Sequence, residues 1–290
     1  MNGLDHDPIL VGSFDGTKIA VRAMGRGAGI PLLVVNAIGA NLAVWRRALI
    51  DVARDRPIVA WDHRGLHASG PPVSDRLDAR AHTEDAIAAL DHLGHEEFAA
   101  VSWSNGSRIA LEIAHRAPER CRCLVLVSGG YGHPLGRALR FELASILPVA
   151  ASVGKYFGDA LGGALRRLVA RPELAGMIRQ SGMVGATADT AALIELLRAF
   201  ADCDQKILLH SFQEVVGDSG IDLMREITVP SLLIAGDRDQ FVSPSLIEET
   251  ARGLGGAPVI LYEGATHYLP IEFPARLSDD LRRFLDETGM

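Results

Sequence analysis

A chain of 290 residues, 48% hydrophobic and 22% charged, is long enough to bury one large core, or one domain that carries an insertion. Its net charge of −7 leaves no basic footprint for nucleic acid, and Leu143 to Gly154, a charge-free apolar stretch containing Pro148, is too short to span a bilayer. Cys121, Cys123 and Cys203 are too few and unevenly placed for a disulfide framework or a zinc site, and the acidic start is no signal peptide, so a cytoplasmic protein is expected.

Ile9 to Val21 reads as a hairpin turned at Asp15-Gly16. After the glycines at 25, 27 and 29, Pro31 to Val35 is a continuous apolar run of the buried parallel type. Asn41 is placed to cap a helix through about Val52. Pro57 to Trp61 predicts the next strand, and Thr83 a helix cap for the segment that ends at Gly94. Phe98 to Val101 is a third buried run, and a helix pattern through Ile109 and Ile113 stops before Pro118. Cys123 to Val127 follows as a strand. Alternation of this kind predicts an α/β class, a mostly parallel doubly wound sheet opened by an antiparallel hairpin.

The alternation breaks between Pro134 and Glu226, where leucines recur at helical spacing and no strand-like run occurs. Residues 134–219 therefore read as a helical cap inserted into a core made of 1–133 and 220–290. The sheet resumes at Pro230 to Ala235, followed by a helix over 244–254, a strand over 258–262 and a last helix over 275–287.

Ser102-Trp103-Ser104-Asn105-Gly106 joins a strand to a helix across a very short bend. The bend residue is strained and exposed, and the residues two places on either side must be small, so Ser104 takes the bend between Ser102 and Gly106. The new helix aims its first backbone N–H groups at whatever binds there. In open α/β sheets functional groups collect beyond the carboxyl ends of strands. Two such positions carry matching chemistry: Gly236-Asp237-Arg238-Asp239 after one strand and Glu263-Gly264-Ala265-Thr266-His267 after the next. A serine hydroxyl needs a base, and His267 held by a carboxylate would supply it.

The bend resembles the nucleophile elbow of the α/β-hydrolases, G-x-S-x-G, with Ser102 in the first small position. The order Ser…Asp…His is also that of the superfamily. The resemblance implies the α/β-hydrolase fold with Ser104, Asp239 and His267 as catalytic residues; its G-x-x-D pattern selects Asp239, with Asp237 in reserve. It also implies an oxyanion hole of two backbone N–H groups, from Asn105 and, by position, Ile38. Family members often read His-Gly-x after the first parallel strand; this chain reads Asn36-Ala37-Ile38-Gly39-Ala40-Asn41, which also resembles intracellular polyhydroxyalkanoate depolymerases. Asp62-His63-Arg64-Gly65 with Ser69 resembles the D-x-R-G-x-G-x-S loop of the superfamily, with His67 at its second glycine.

No cofactor or metal is implied, and His63 and His67 alone are too few ligands for zinc. Phe141, Phe157, Met177, Met183 and Phe212 in the cap either pack its own core or face the serine. Nine Lys or Arg balance nine Asp or Glu over 134–219, which gives no sign of a phosphate or coenzyme A clamp. The reading is a serine esterase for a small or medium-chain apolar ester, working through an acyl-enzyme. The alternatives are acyl transfer to an alcohol or thiol, and a non-enzymatic receptor for a small molecule. Dehalogenation is disfavoured because the bend carries serine instead of aspartate. The sequence leaves the oligomeric state open.

Overall fold

The computed structural model describes residues 7–130, 146–217 and 220–290, and of 146–157 the backbone alone. In chain order the first half gives β1 (Ile9–Gly12), β2 (Lys18–Met24), β3 (Leu32–Val35), α1 (Val52–Asp55), β4 (Ile58–Trp61), α2 (Ala79–His92), β5 (Phe98–Trp103), α3 (Gly106–Arg116) and β6 (Cys121–Val127). Then come α4 (Ile146–Val169), α5 (Leu174–Gln180), α6 (Thr190–Asp202), α7 (Gln205–Gly217) and α8 (Ile221–Met224). The second half closes with β7 (Ser231–Gly236), α9 (Pro244–Gly253), β8 (Val259–Tyr262), α10 (Leu269–Glu272) and α11 (Pro274–Glu287).

The eight strands form one sheet in the order β1-β2-β4-β3-β5-β6-β7-β8. β2 pairs antiparallel with both β1 and β4, and every other pair is parallel. Because β3, β5, β6 and β7 are covered on both faces, their residues alternate between two cores instead of between core and water. Leu33, Val35, Ala100, Leu124 and Leu233 join one core, filled by Ala86 and Leu90 of α2, Ile109 and Ile113 of α3, and Ile247 of α9. Leu32, Val34, Val101, Val125 and Ile234 join the other, filled by Trp45, Leu49, and Leu277 and Leu281 of α11. Strand order reverses at β3, whose neighbours are β4 and β5. That makes the carboxyl ends of β3 and β5 the switch point where an open α/β sheet forms a crevice.

Two helix starts differ from expectation. Asn41 does cap, its Oδ1 accepting from Ala43 N at 3.1 Å, but it opens a 3-10 turn over Leu42–Trp45 in place of a helix to Val52, and only Val52–Asp55 becomes α-helical. Val44 lies off the apolar stripe of a straight helix and is nonetheless buried, which the tighter turn permits. In α2 the cap is Asp78, accepting from Ala81 N at 2.7 Å; Thr83 sits inside the helix and donates back to Ala79 O. β6 begins two residues earlier than expected, at Cys121.

Between β6 and β7 the described residues hold helices α4 to α8 and no strand. Leu135, Leu139, Phe141, Leu143 and Ser219 lie outside the described residues, as does the side chain of Phe157. Among the described residues no helix is long and apolar enough to cross a membrane.

Candidate active site

Ser104 follows the last residue of β5 and adopts φ +56, a left-handed conformation that a serine takes only under constraint. Packing around the bend supplies the constraint. A Cβ on Gly106 would lie 2.4 Å from Asn36 O and 2.7 Å from Val35 O, so α3 can start this close to β3 only with glycine there. Ser102 takes the other small position at no loss: its hydroxyl is buried, 2.9 Å from Ser107 Oγ and donating to Val125 O.

Three loops converge on that serine. Ser104 Oγ is 2.7 Å from His267 Nε2, and His267 Nδ1 is 2.8 Å from Asp239 Oδ2. The other oxygen of Asp239 accepts the N–H groups of Phe241 and Val242 at 2.8 and 2.9 Å, which fixes the carboxylate's orientation. With Nδ1 donating to that carboxylate, Nε2 is left as the acceptor for the serine proton. Trp103 Nε1 donates to His267 O at 2.9 Å, tying the residue before the bend to the backbone of the histidine. Asp237 points elsewhere, accepting from Gly264 N at 2.7 Å near the surface.

The loop after β3 lies beside them. Ile38 N donates to the side-chain carbonyl of Asn105 at 2.9 Å, so this N–H, one of the two expected oxyanion donors, faces the other donor's side chain. Asn36 Oδ1 accepts from Trp45 Nε1 inside the core. His67, at φ +52 in the place of a glycine, sets its Nε2 3.0 Å from Gly39 O and so braces the same loop. The rest of that neighbouring loop is structural: Ser69 Oγ donates to Asp62 O, and buried Arg64 holds Asp85 and Asp15. Among the described residues no three metal-ligating side chains converge.

A cavity of about 330 Å³ opens at Ser104. Trp103, Phe241 and Tyr268 wall it from the sheet side; Phe200 of α6 and Leu208, Leu209, Phe212 and Val216 of α7 wall it from the helical side. Among the described residues no Lys, Arg, Asp or Glu lines it. Burial, with the Asp239 and Glu272 carboxylates nearby, pushes the Tyr268 phenol up to about 12, so it stays a neutral donor. Of the residues singled out in the sequence over 134–219, Phe212 lines the cavity, while Met177 and Met183 are 63% and 42% exposed and do not. Phe200 and Phe241 of the aromatic wall escape sequence reasoning, whereas Trp103 and Tyr268 sit next to Ser104 and His267 in the chain.

Comparison with known proteins agrees with this architecture. Residues 30–150 match the family model for the alpha/beta hydrolase fold. A 2-hydroxymuconate semialdehyde hydrolase of Pseudomonas sp. (strain CF600) is 31% identical over 143 residues, 48% of this chain and 50% of that protein. The acetyltransferase component of the acetoin cleaving system of Pseudomonas putida is 26% identical over 90% of this chain and 65% of its own length. The matches thus span half and about two-thirds of those relatives. The solved enol-lactonase of Burkholderia xenovorans LB400 superposes with a TM-score of 0.76 at 19% identity, over 96% of this chain and all of that one, a likeness of fold. The chain thus has the α/β-hydrolase fold, and its residues 30–150 are similar to the family of that description.

Proposed function

We propose that the chain is a serine hydrolase cleaving carboxylic esters of small or medium-chain apolar acids through an acyl-enzyme. The observation that carries this reading is the unbroken hydrogen-bonded line Ser104–His267–Asp239 opening into a cavity whose described lining is apolar and free of Lys, Arg, Asp and Glu. As the Ser104 Oγ–carbon bond forms, the hydroxyl proton passes to His267 Nε2, and Asp239 stabilises the imidazolium. That proton then goes to the departing alkoxide, which leaves as the alcohol. A water molecule repeats the sequence from the other side: His267 takes its proton as the hydroxyl adds to the acyl carbon, then gives that proton to Ser104 Oγ as the Oγ–carbon bond breaks and the acid leaves. Asn105 and Ile38 N–H groups are the oxyanion donors in this scheme.

The cavity volume is near the low end for ligand pockets, which favours a short or medium acyl chain over a long lipid tail. In this reading residues 134–219 act as a lid, a role supported by the side chains that α6 and α7 place in the cavity wall. A reducing cytoplasm suits the three cysteines, all buried and unpaired. No cofactor enters the scheme.

The test is covalent labelling by a fluorophosphonate, with turnover of p-nitrophenyl esters of increasing chain length, in the presence and absence of a competing alcohol. Ser104→Ala is expected to abolish labelling and lower kcat by about 10⁶ with the fold intact. Labelling of the alanine variant would remove Ser104 from the role. Partition of the acyl group to the alcohol in preference to water would make the protein a transferase.

A further inference from the structure

Glu272, five residues beyond His267, brings a carboxylate back onto Thr266, the residue before the histidine. Glu272 ends the single turn of α10 and is 4% exposed, with no ion-pair partner among the described residues. A buried carboxylate lacking a countercharge is costly unless hydrogen bonds replace its water. Three donors do so. Glu272 Oε2 accepts Thr266 N at 2.8 Å, while Oε1 accepts the Thr266 hydroxyl and Gly185 N, the latter at 2.8 Å. Thr266 immediately precedes His267, whereas Gly185 lies in the connection between α5 and α6, and α6 carries Phe200 into the cavity wall.

The contact at Gly185 is close. A Cβ there would lie 2.9 Å from the carboxyl carbon and from Oε2 of Glu272. Two further bonds seat the same connection: Asp189 N donates to Ile271 O at 3.0 Å, and Gln240 Nε2, next to Asp239, donates to Gly182 O at 3.2 Å. The connection therefore rests on both loops that hold Ser104's partners.

We infer that Glu272 is a positioning residue that joins the helical segment to the His267 loop, one carboxylate fixing Gly185 and Thr266 together. Lifting the segment off its seat loosens Thr266 and, with it, His267, so the line to Ser104 is complete only when the segment is seated. A glutamine cannot replace this group. It has one acceptor oxygen, and the two N–H groups point at different oxygens, so either Thr266 N–H or Gly185 N–H is left facing an NH₂. The effect on turnover rests on the serine-hydrolase reading; the mechanical link does not.

The experiment compares the full chain with Glu272→Gln and Gly185→Ala by amide hydrogen exchange, and by ester kinetics normalised to fluorophosphonate-titrated serine. Glu272→Gln should speed exchange over both 182–189 and 264–268 by about fivefold or more. Gly185→Ala, a change on the lid side alone, should speed exchange over 264–268 as well. Both should lower kcat per titrated serine by roughly ten- to a hundredfold and move the acid limb of the kcat/KM profile, because His267 is no longer held against Asp239. A purely structural Glu272 would lower stability and the titratable fraction while leaving kcat per site and the acid limb in place. If Glu272→Gln does not fold, Gly185→Ala decides. Wild-type exchange over 264–268 in Gly185→Ala overturns the inference. Absence of labelling in the unmodified chain would count against the hydrolase reading, and the exchange result would still decide the link.

Discussion

The backbone N–H of Ile38 and the side-chain carbonyl of Asn105 are 2.9 Å apart, donor to acceptor. In the proposed mechanism that N–H must serve the substrate's oxygen, so the Asn105 side chain occupies the place a carbonyl needs and has to turn aside on binding. One neutral hydrogen bond is worth about 1 kcal/mol, close to a fivefold factor. Asn105→Ala is expected to raise the second-order rate of fluorophosphonate labelling by up to several-fold, since Ile38 N–H is then free at rest. Asn105→Asp should lower that rate about tenfold or more, because a charged acceptor binds the N–H more strongly and sets negative charge beside a developing oxyanion. Equal rates in all three proteins would show that the contact exerts no control over the site.

The two aspartates after β7 should separate cleanly. Asp239 accepts from His267 Nδ1 and from two backbone N–H groups, whereas Asp237 meets Gly264 N at the surface. Asp239→Asn puts an amide where the ring N–H must donate and favours the wrong tautomer, with a loss in kcat of about 10⁴. Asp237→Asn should stay within several-fold of the unmodified enzyme. Steady-state kinetics on a short p-nitrophenyl ester reads both, and a larger loss at Asp237 would overturn the assignment.

Ester chain length should respond to α7 and not to the exposed methionines. Phe212 lines the cavity, so Phe212→Ala enlarges it and should raise the kcat/KM ratio of longer to shorter esters, about tenfold for each methylene newly accommodated. Met177→Ala and Met183→Ala remove side chains that face solvent and should leave the profile unchanged. A changed profile for either methionine, with none for Phe212, would move the selectivity away from the cavity described above.

What could be read from the chain divides along a physical line. Ser104 is legible because the bend is a local steric problem, solved by Ser102 and Gly106 within a few residues of it. Asp239 and His267 are legible because strand ends converge whatever the packing details. The helices between β6 and β7 are a different case. Helical spacing places their leucines on faces but not against a partner, so Phe212 turns inward and Met177 outward with no sequence signal to tell them apart. Likewise the Asn105 rotamer that covers Ile38 N–H, and the bond from Gly185 to Glu272 across 87 residues, depend on tertiary contacts alone. Asn41 shows the mixed outcome: its capping chemistry is local and present, whereas the length of the helix it opens is settled by the core around Val44 and Trp45.

Acid stability should be limited by two histidines outside the site. His63 and His82 are fully buried, their rings 4.8 Å apart and nearly perpendicular, and His63 also meets Trp61 edge-on. Neither ring nitrogen of His63 has a hydrogen-bond partner among the described residues. Burial, with His82 and His67 nearby, holds His63 well below its ordinary range; burial and then the Arg64 guanidinium hold His82 down at about 3, against the opposing pull of Asp78. Both are therefore neutral in the folded chain at pH 5, whereas the unfolded chain takes up their protons below about pH 6.5. More protons on the unfolded side means that stability rises with pH, is complete above about pH 7, and is lost as pH falls. At pH 5 the loss is about 2 kcal/mol for each histidine. Asp15 works in a lower window: hydrogen bonds from Ser74 and Thr17 and the charge of Arg64 outweigh its burial and depress its pKa, so its contribution disappears only below the ordinary carboxylate range. Urea unfolding between pH 7.5 and 5 isolates the histidine window. His63→Leu, which removes the proton site and fills the space with carbon, should roughly halve the pH slope and leave stability at pH 7.5 equal or higher. An unchanged slope in that variant would place the acid sensitivity elsewhere in the chain.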